Sequence, residues 1–230
     1  MKSKEVFANA KWIVFCKIIQ SLLQLVVGML CARYLGPANY GLINYAASVT
    51  GFALTVMKLG FDATLVRELV EAPEKEGEIM GTSLALNVIS GLLCMAGVAA
   101  FVSTVNRNEP VTLLVCVLYS TMVFFGALEM IQYWFQYKLM SKYPSLVMLA
   151  AYVVVSCYRI GLLITGKSVY WFALTNALDY AIIGISLIVL YGRLGGGRFC
   201  FSRERAKSML AKKRSALLTP SFIYAGIICF

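Results

Sequence analysis

Six stretches of this chain, at 12–32, 40–59, 82–105, 111–131, 144–165 and 170–191, run for about twenty residues with few charges. A helix rises about 1.5 Å per residue and the hydrocarbon core of a bilayer is about 30 Å thick, so each run can cross a membrane. The rest of the composition agrees. Hydrophobic residues make up 60% of the chain and charged residues 14%, whereas a soluble domain carries about 25% charged residues. The expected fold class is therefore an all-α polytopic membrane protein with six complete transmembrane helices. Residues 1–191 form that bundle, 192–215 a basic linker, and 216–230 the start of a seventh helix, too short to span, so that the chain is expected to be cut within it.

Between the first two runs stands Ala32-Arg33-Tyr34-Leu35-Gly36-Pro37-Ala38-Asn39-Tyr40-Gly41. Gly36 can adopt the left-handed conformation that ends a helix and Pro37 cannot continue one, which predicts a tight turn. The net charge of +10 is unevenly spread. Fifteen of the 21 Lys and Arg fall on one side of the predicted topology: Lys2, Lys4, Lys11, Arg67, Lys75, Lys138, Lys142 and the eight cations of 192–215. Arg33, Arg107 and Lys167 fall on the other, and Lys17, Lys58 and Arg159 within runs. Positive loops stay in the cytoplasm, so the N-terminus is expected there, in an inner or plasma membrane. This asymmetry explains the basic charge without nucleic acid, which is not an expected partner.

Polar residues inside the runs are the candidates for function. Lys17, Gln20, Ser21, Gln24 and Gly28 share one helical stripe about 100° wide, and Asn44, Ser48, Gly51, Thr55 and Lys58 share another. Lipid disfavours such stripes, so they are expected to face other helices as hydrogen-bonding contacts or to line a wet cavity. Lys17 and Lys58 can also snorkel to the surface. Tyr152, Ser156 and Arg159 form a stripe on the fifth run, and Thr175, Asp179 and Ser186 on the sixth. A charge as deep as Asp179 costs about 2.5–3.5 kcal/mol on insertion scales and must be protonated, paired or hydrated. Arg159 reaches it only when stretched.

The connections are predicted as follows. Residues 62–71 form a surface amphipathic helix with Asp62 as N-cap, Leu65, Val66, Leu69 and Val70 as its apolar face, and an Arg67–Glu71 pair. Glu74, Glu76 and Glu78 crowd the start of the third run, where negative charge suits a helix N-terminus, and are read as a solvated acidic loop. Gln132–Lys138, rich in Tyr, Trp and Phe, forms an interfacial aromatic belt. Gly195-Gly196-Gly197 lacks phosphate-loop spacing and is a flexible start to the basic linker, whose cations can touch anionic lipid. The seven cysteines show no ligand spacing and read as packing residues, and histidine is absent. No cofactor or metal is expected, and no catalytic constellation marks an enzyme.

Arg33-Tyr34-Leu35-Gly36-Pro37 with Tyr40-Gly41, then Leu59-Gly60, Val66-Arg67-Glu68-Leu69, Tyr133-Trp134-Phe135-Gln136 and Ser141-Lys142-Tyr143, resemble the polysaccharide-biosynthesis flippases. These are the O-antigen, capsule and exopolysaccharide repeat-unit exporters of the multidrug/oligosaccharidyl-lipid/polysaccharide superfamily. The likeness covers nearly the whole chain and resembles the N-terminal bundle of a MATE-like flippase, whose substrate path lies between two bundles. It implies movement of an undecaprenyl-diphosphate-linked oligosaccharide to the outer leaflet, with lipid-linked oligosaccharide, membrane lipids and a missing C-terminal bundle or polysaccharide-assembly proteins as partners. A diphosphate and a glycan need a wet, partly cationic path. From stripe geometry and depth, Lys17, Arg33, Lys58 and Arg159 are its candidate cations. Gln20, Gln24 and Asn44 are the candidate sugar contacts, and Asp179 the candidate coupling-ion site. A drug/cation antiporter of the same superfamily, an inactive truncated membrane protein and a membrane glycosyltransferase or polymerase are the rival readings. The last would normally need larger external loops.

Overall fold

A computed structural model describes residues 2–58 and 61–209, with side chains at 12–58 and 64–209. The expected cap at Asp62, the basic arm before Trp12 and the seventh helix from Ala216 lie outside those side chains. The described residues are helical throughout their ordered elements, with no strand among them. In order they are α1 (Lys2–Lys58), α2 (Phe61–Glu71), α3 (Glu76–Val105), α4 (Pro110–Gly126), α5 (Gln132–Tyr137), α6 (Lys142–Ile164) and α7 (Val169–Arg193). A tighter 3₁₀ stretch, Ala127–Ile131, joins α4 to α5. Five segments are long and apolar enough to cross a membrane: Trp12–Lys58, Pro73–Val105, Pro110–Tyr137, Lys142–Ile164 and Val169–Arg193.

The first segment contains both of the first two expected spans. At 57 residues, a straight α1 would extend about 85 Å, nearly three bilayer cores. It does not run straight, because Gly36 has φ 70° and ψ 173°, a conformation nearly confined to glycine, and Pro37 follows it. The two arms then run in opposite senses. Trp12 lies under the Lys142 ammonium, 4.9 Å from ring centre to Nζ, and Lys58 pairs with Glu129 at that same end of the bundle. Near the kink, by contrast, Tyr34 donates a hydrogen bond to the Lys167 carbonyl in the α6–α7 turn at the opposite end.

Two cores hold the bundle. One gathers Val27, Cys31 and Leu35 of the first arm, Ala46, Ala53 and Met57 of the second, and Val98, Val115, Ala173 and Ala177. The other sits at the basic end, where Leu65 and Leu69 of α2 pack with Ile79, Met80, Ile131, Trp134, Phe135, Leu187 and Tyr191. Leu22, Phe52, Leu93, Phe101, Ile164 and Ile185 are exposed, as a lipid-facing surface requires.

That second core corrects four expectations. Trp134 and Phe135 are fully buried, so these two do not belong to an interfacial belt; the indole packs edge-on against Phe135 and Tyr191 beneath α2. Glu76 and Glu78 stand at the start of the third span, in the first turn of α3, but they are not free in solvent: they pair with Lys138 at 2.9 Å and Arg205 at 3.4 Å. Val70 does not join the apolar face of α2 in the core; it is exposed. The Gly195–Gly197 stretch is held down: Gly195 turns the chain with φ +83°, Tyr191 Oη donates to the Gly197 carbonyl at 2.8 Å, and the Gly197 amide donates to Glu76.

Candidate functional site

Two arms of α1 that fold back on each other bring residues far apart in sequence onto one wall. Where they meet α4, α6 and α7, an open cavity of about 210 Å³ forms. Gln24, Gly28, Cys31 and Leu35 come from the first arm and Tyr40, Ile43, Asn44 and Ala47 from the second. Tyr119, Arg159, Phe172, Thr175 and Asn176 complete it. Its lining mixes amide and hydroxyl groups with aromatic and aliphatic ones.

Arg159 is its charged group. Its Nε donates to Thr175 Oγ1 and its Nη2 to Asn176 Oδ1, both at 3.0 Å. Thr175 Oγ1 in turn donates to the Phe172 carbonyl at 2.7 Å. Those two partners are neutral and Arg159 makes no direct ion pair among the described residues, so the guanidinium is oriented by hydrogen bonds, and it has five N–H donors in a planar fork. A guanidinium so placed suits a phosphate or carboxylate, and the exposed amides of Gln24 and Asn44 suit hydroxyl-rich ligands.

The other expected residues fall elsewhere. Lys17 is exposed on the first arm, in a shallow apolar groove with Ile13, Val14, Ile18 and Leu22. Gln20 is half-buried and does not line the cavity, and Arg33 is exposed beside the kink. Lys58 does not snorkel freely: its ammonium is 2.6 Å from Glu129 Oε2, with 30% and 15% of the two side chains exposed. Asp179 does not pair with Arg159, whose fork is turned to Thr175 and Asn176. Asp179 Oδ1 is closed off from solvent and has no hydrogen-bond partner among the described residues.

The model of a family described as polysaccharide biosynthesis protein matches residues 6–217, nearly the whole chain. The chain belongs to that family. No curated protein and no solved structure matches it. With its membrane-crossing helices, this makes it a polytopic membrane protein of polysaccharide biosynthesis. Of the expected path residues, Gln24, Asn44 and Arg159 meet in the cavity. Asn176, Tyr119 and Tyr40 were missed. Asn176 carried a usable signal, an amide in an apolar run next to Thr175 and 17 residues from Arg159, the span of a helical hairpin. Tyr119 carried none, because a tyrosine in an apolar run looks the same whether it packs or lines a cavity, and Tyr40 stood out only as part of the break after Gly36-Pro37.

Proposed function

We propose that the protein moves a lipid-linked oligosaccharide, carried on undecaprenyl diphosphate, from the cytoplasmic to the outer leaflet for cell-surface polysaccharide synthesis. The observation that carries this reading is the Arg159 guanidinium, held by neutral partners with no direct ion pair among the described residues, in a cavity edged by Gln24 and Asn44. Arg159 engages the diphosphate and the amides engage sugar hydroxyls, while the prenyl chain stays in lipid beside the exposed apolar helix faces. Family membership supports a transporter in place of an enzyme. The charge asymmetry supports an inner-membrane topology with the basic end in the cytoplasm. The test is complementation: in cells lacking the native gene, Arg159→Gln should restore tenfold less surface polysaccharide than the wild type at equal protein level. Full restoration by the variant would overturn Arg159's role.

A second reading, cation-driven antiport of small amphiphiles, rests on Asp179, whose closed-off carboxylate oxygen suits a coupling proton or cation. Sodium- or proton-driven efflux of such a compound from loaded vesicles, lost in Asp179→Asn, would favour it. Efflux indifferent to the cation gradient would remove it.

A further inference from the structure

Residues 194–209 leave α7 and run back along α3 as a strap. Its backbone is held at several points. The Cys200 amide donates to the Gly77 carbonyl at 3.1 Å, and the Ser202 amide to Thr82 Oγ1 at 3.0 Å. Gly81 makes room for it: a Cβ there would lie 2.5 Å from the Cys200 carbonyl oxygen. Met209 is buried at the strap's far end, and Arg205 turns inward to Glu68 and Glu78.

We propose that the outer face of this strap binds the headgroups of anionic phospholipids. Its depth is the first reason. Helix α7 has 25 residues, about 37 Å, which carries Arg193 past a hydrocarbon core of about 30 Å. From Glu76 to Thr82 the strap then follows α3 for about 9 Å back toward the apolar core, so it lies at headgroup level. Its chemistry is the second. Arg193, Arg198, Arg203 and Lys207 are exposed and form no ion pair among the described residues. Leu194, Phe199 and Phe201 are exposed among them at 39%, 40% and 57%. Cations interleaved with apolar side chains, on a backbone already fixed, match a surface of phosphates over acyl chains.

The test compares lipids retained by the full chain purified from vesicles of phosphatidylcholine with a minor share of phosphatidylglycerol. Each cation near the surface contributes on the order of fivefold to anionic-lipid attraction. The wild type should therefore be enriched in phosphatidylglycerol, and Arg193→Gln/Arg198→Gln/Arg203→Gln/Lys207→Gln should lose most of that enrichment. Arg107→Gln/Lys167→Gln, at the other end of the bundle, should keep it. Equal retention of the two lipids by the wild type, or unchanged enrichment in the fourfold variant, would overturn the proposal and leave the cations to an acidic protein partner. Should the fourfold variant fail to fold, hydrogen exchange in the wild type decides. The Cys200 and Ser202 amides should exchange more slowly in phosphatidylglycerol than in phosphatidylcholine, and the difference should vanish at 1 M salt, where screening reaches about 3 Å. Equal exchange in both lipids would refute it.

Discussion

Replacing Lys58 by Met tests how the second arm of α1 is fastened to the 3₁₀ stretch that follows α4. The pair it breaks is short, 2.6 Å, and unevenly exposed, with 30% of Lys58 and only 15% of Glu129 reaching solvent. Pairs wholly on a surface are worth about 0–1 kcal/mol, whereas removing one partner of a buried pair costs about 3–5 kcal/mol because the other charge is stranded. Glu129 sits nearer the second limit and Lys58 nearer the first. Lys58→Met should therefore cost about 2–3 kcal/mol, between those limits. The stranded carboxylate accounts for most of that loss, so Lys58→Met/Glu129→Met should recover to within about 1 kcal/mol of the wild type. Reversible unfolding in lipid, measured as a double-mutant cycle, reads both values and their coupling. A single variant as stable as the wild type would show that the pair is a solvated surface contact. A double variant no better than Lys58→Met would show that packing, not charge, is lost.

Gly184→Ala should destabilise by about 1–3 kcal/mol, because its Cβ would lie 2.6 Å from the Cβ of Leu128. Gly126→Ala comes close only to the flexible end of the Leu54 side chain, at 2.9 Å, with the Tyr180 ring at an ordinary 3.6 Å, and should cost less, a ranking that thermal melts can check. Trp134→Ala should cost about 3–5 kcal/mol, since the ring is buried in the basic-end core. Trp171→Ala, on a half-exposed ring, should cost well under that in the same unfolding assay. Gly36→Ala should destabilise the kink by about 1 kcal/mol or more, read by the same method, because φ 70° disfavours any side chain.

Much of the architecture was legible because membrane thickness sets the length of an apolar run, and Gly36-Pro37 marks where α1 must turn. Helical periodicity also carried Gln24, Asn44 and Arg159 toward a shared surface, since polar residues in a span seek one another or water. What periodicity lacks is a partner. Lys58 and Glu129 are 71 positions apart, and neither residue's own neighbourhood names the other. Trp134 misled for a related reason: aromatic residues beside Lys138 have the composition of an interfacial belt, and only the docking of α2 over them turns that stretch inward. The strap was hidden too, because Gly195-Gly196-Gly197 has the same composition whether it is free or hydrogen-bonded to Glu76 and Tyr191. Glycine permits close backbone approach as readily as it permits freedom.

Direct translocation of substrate tests the central claim, that Arg159 in its polar cavity carries a diphosphate-linked glycan through the membrane. The protein, with whatever partners accompany it in its native membrane, would be reconstituted into vesicles holding a radiolabelled undecaprenyl-diphosphate oligosaccharide. Arrival in the outer leaflet would be scored by an added sugar-cleaving enzyme. Loss of a charge-assisted contact of about 1.5–3 kcal/mol corresponds to tenfold or more, so Arg159→Gln should transport at least about tenfold more slowly than the wild type, and Lys17→Gln, outside the cavity, should stay close to it. Equal rates for Arg159→Gln and the wild type would contradict the account.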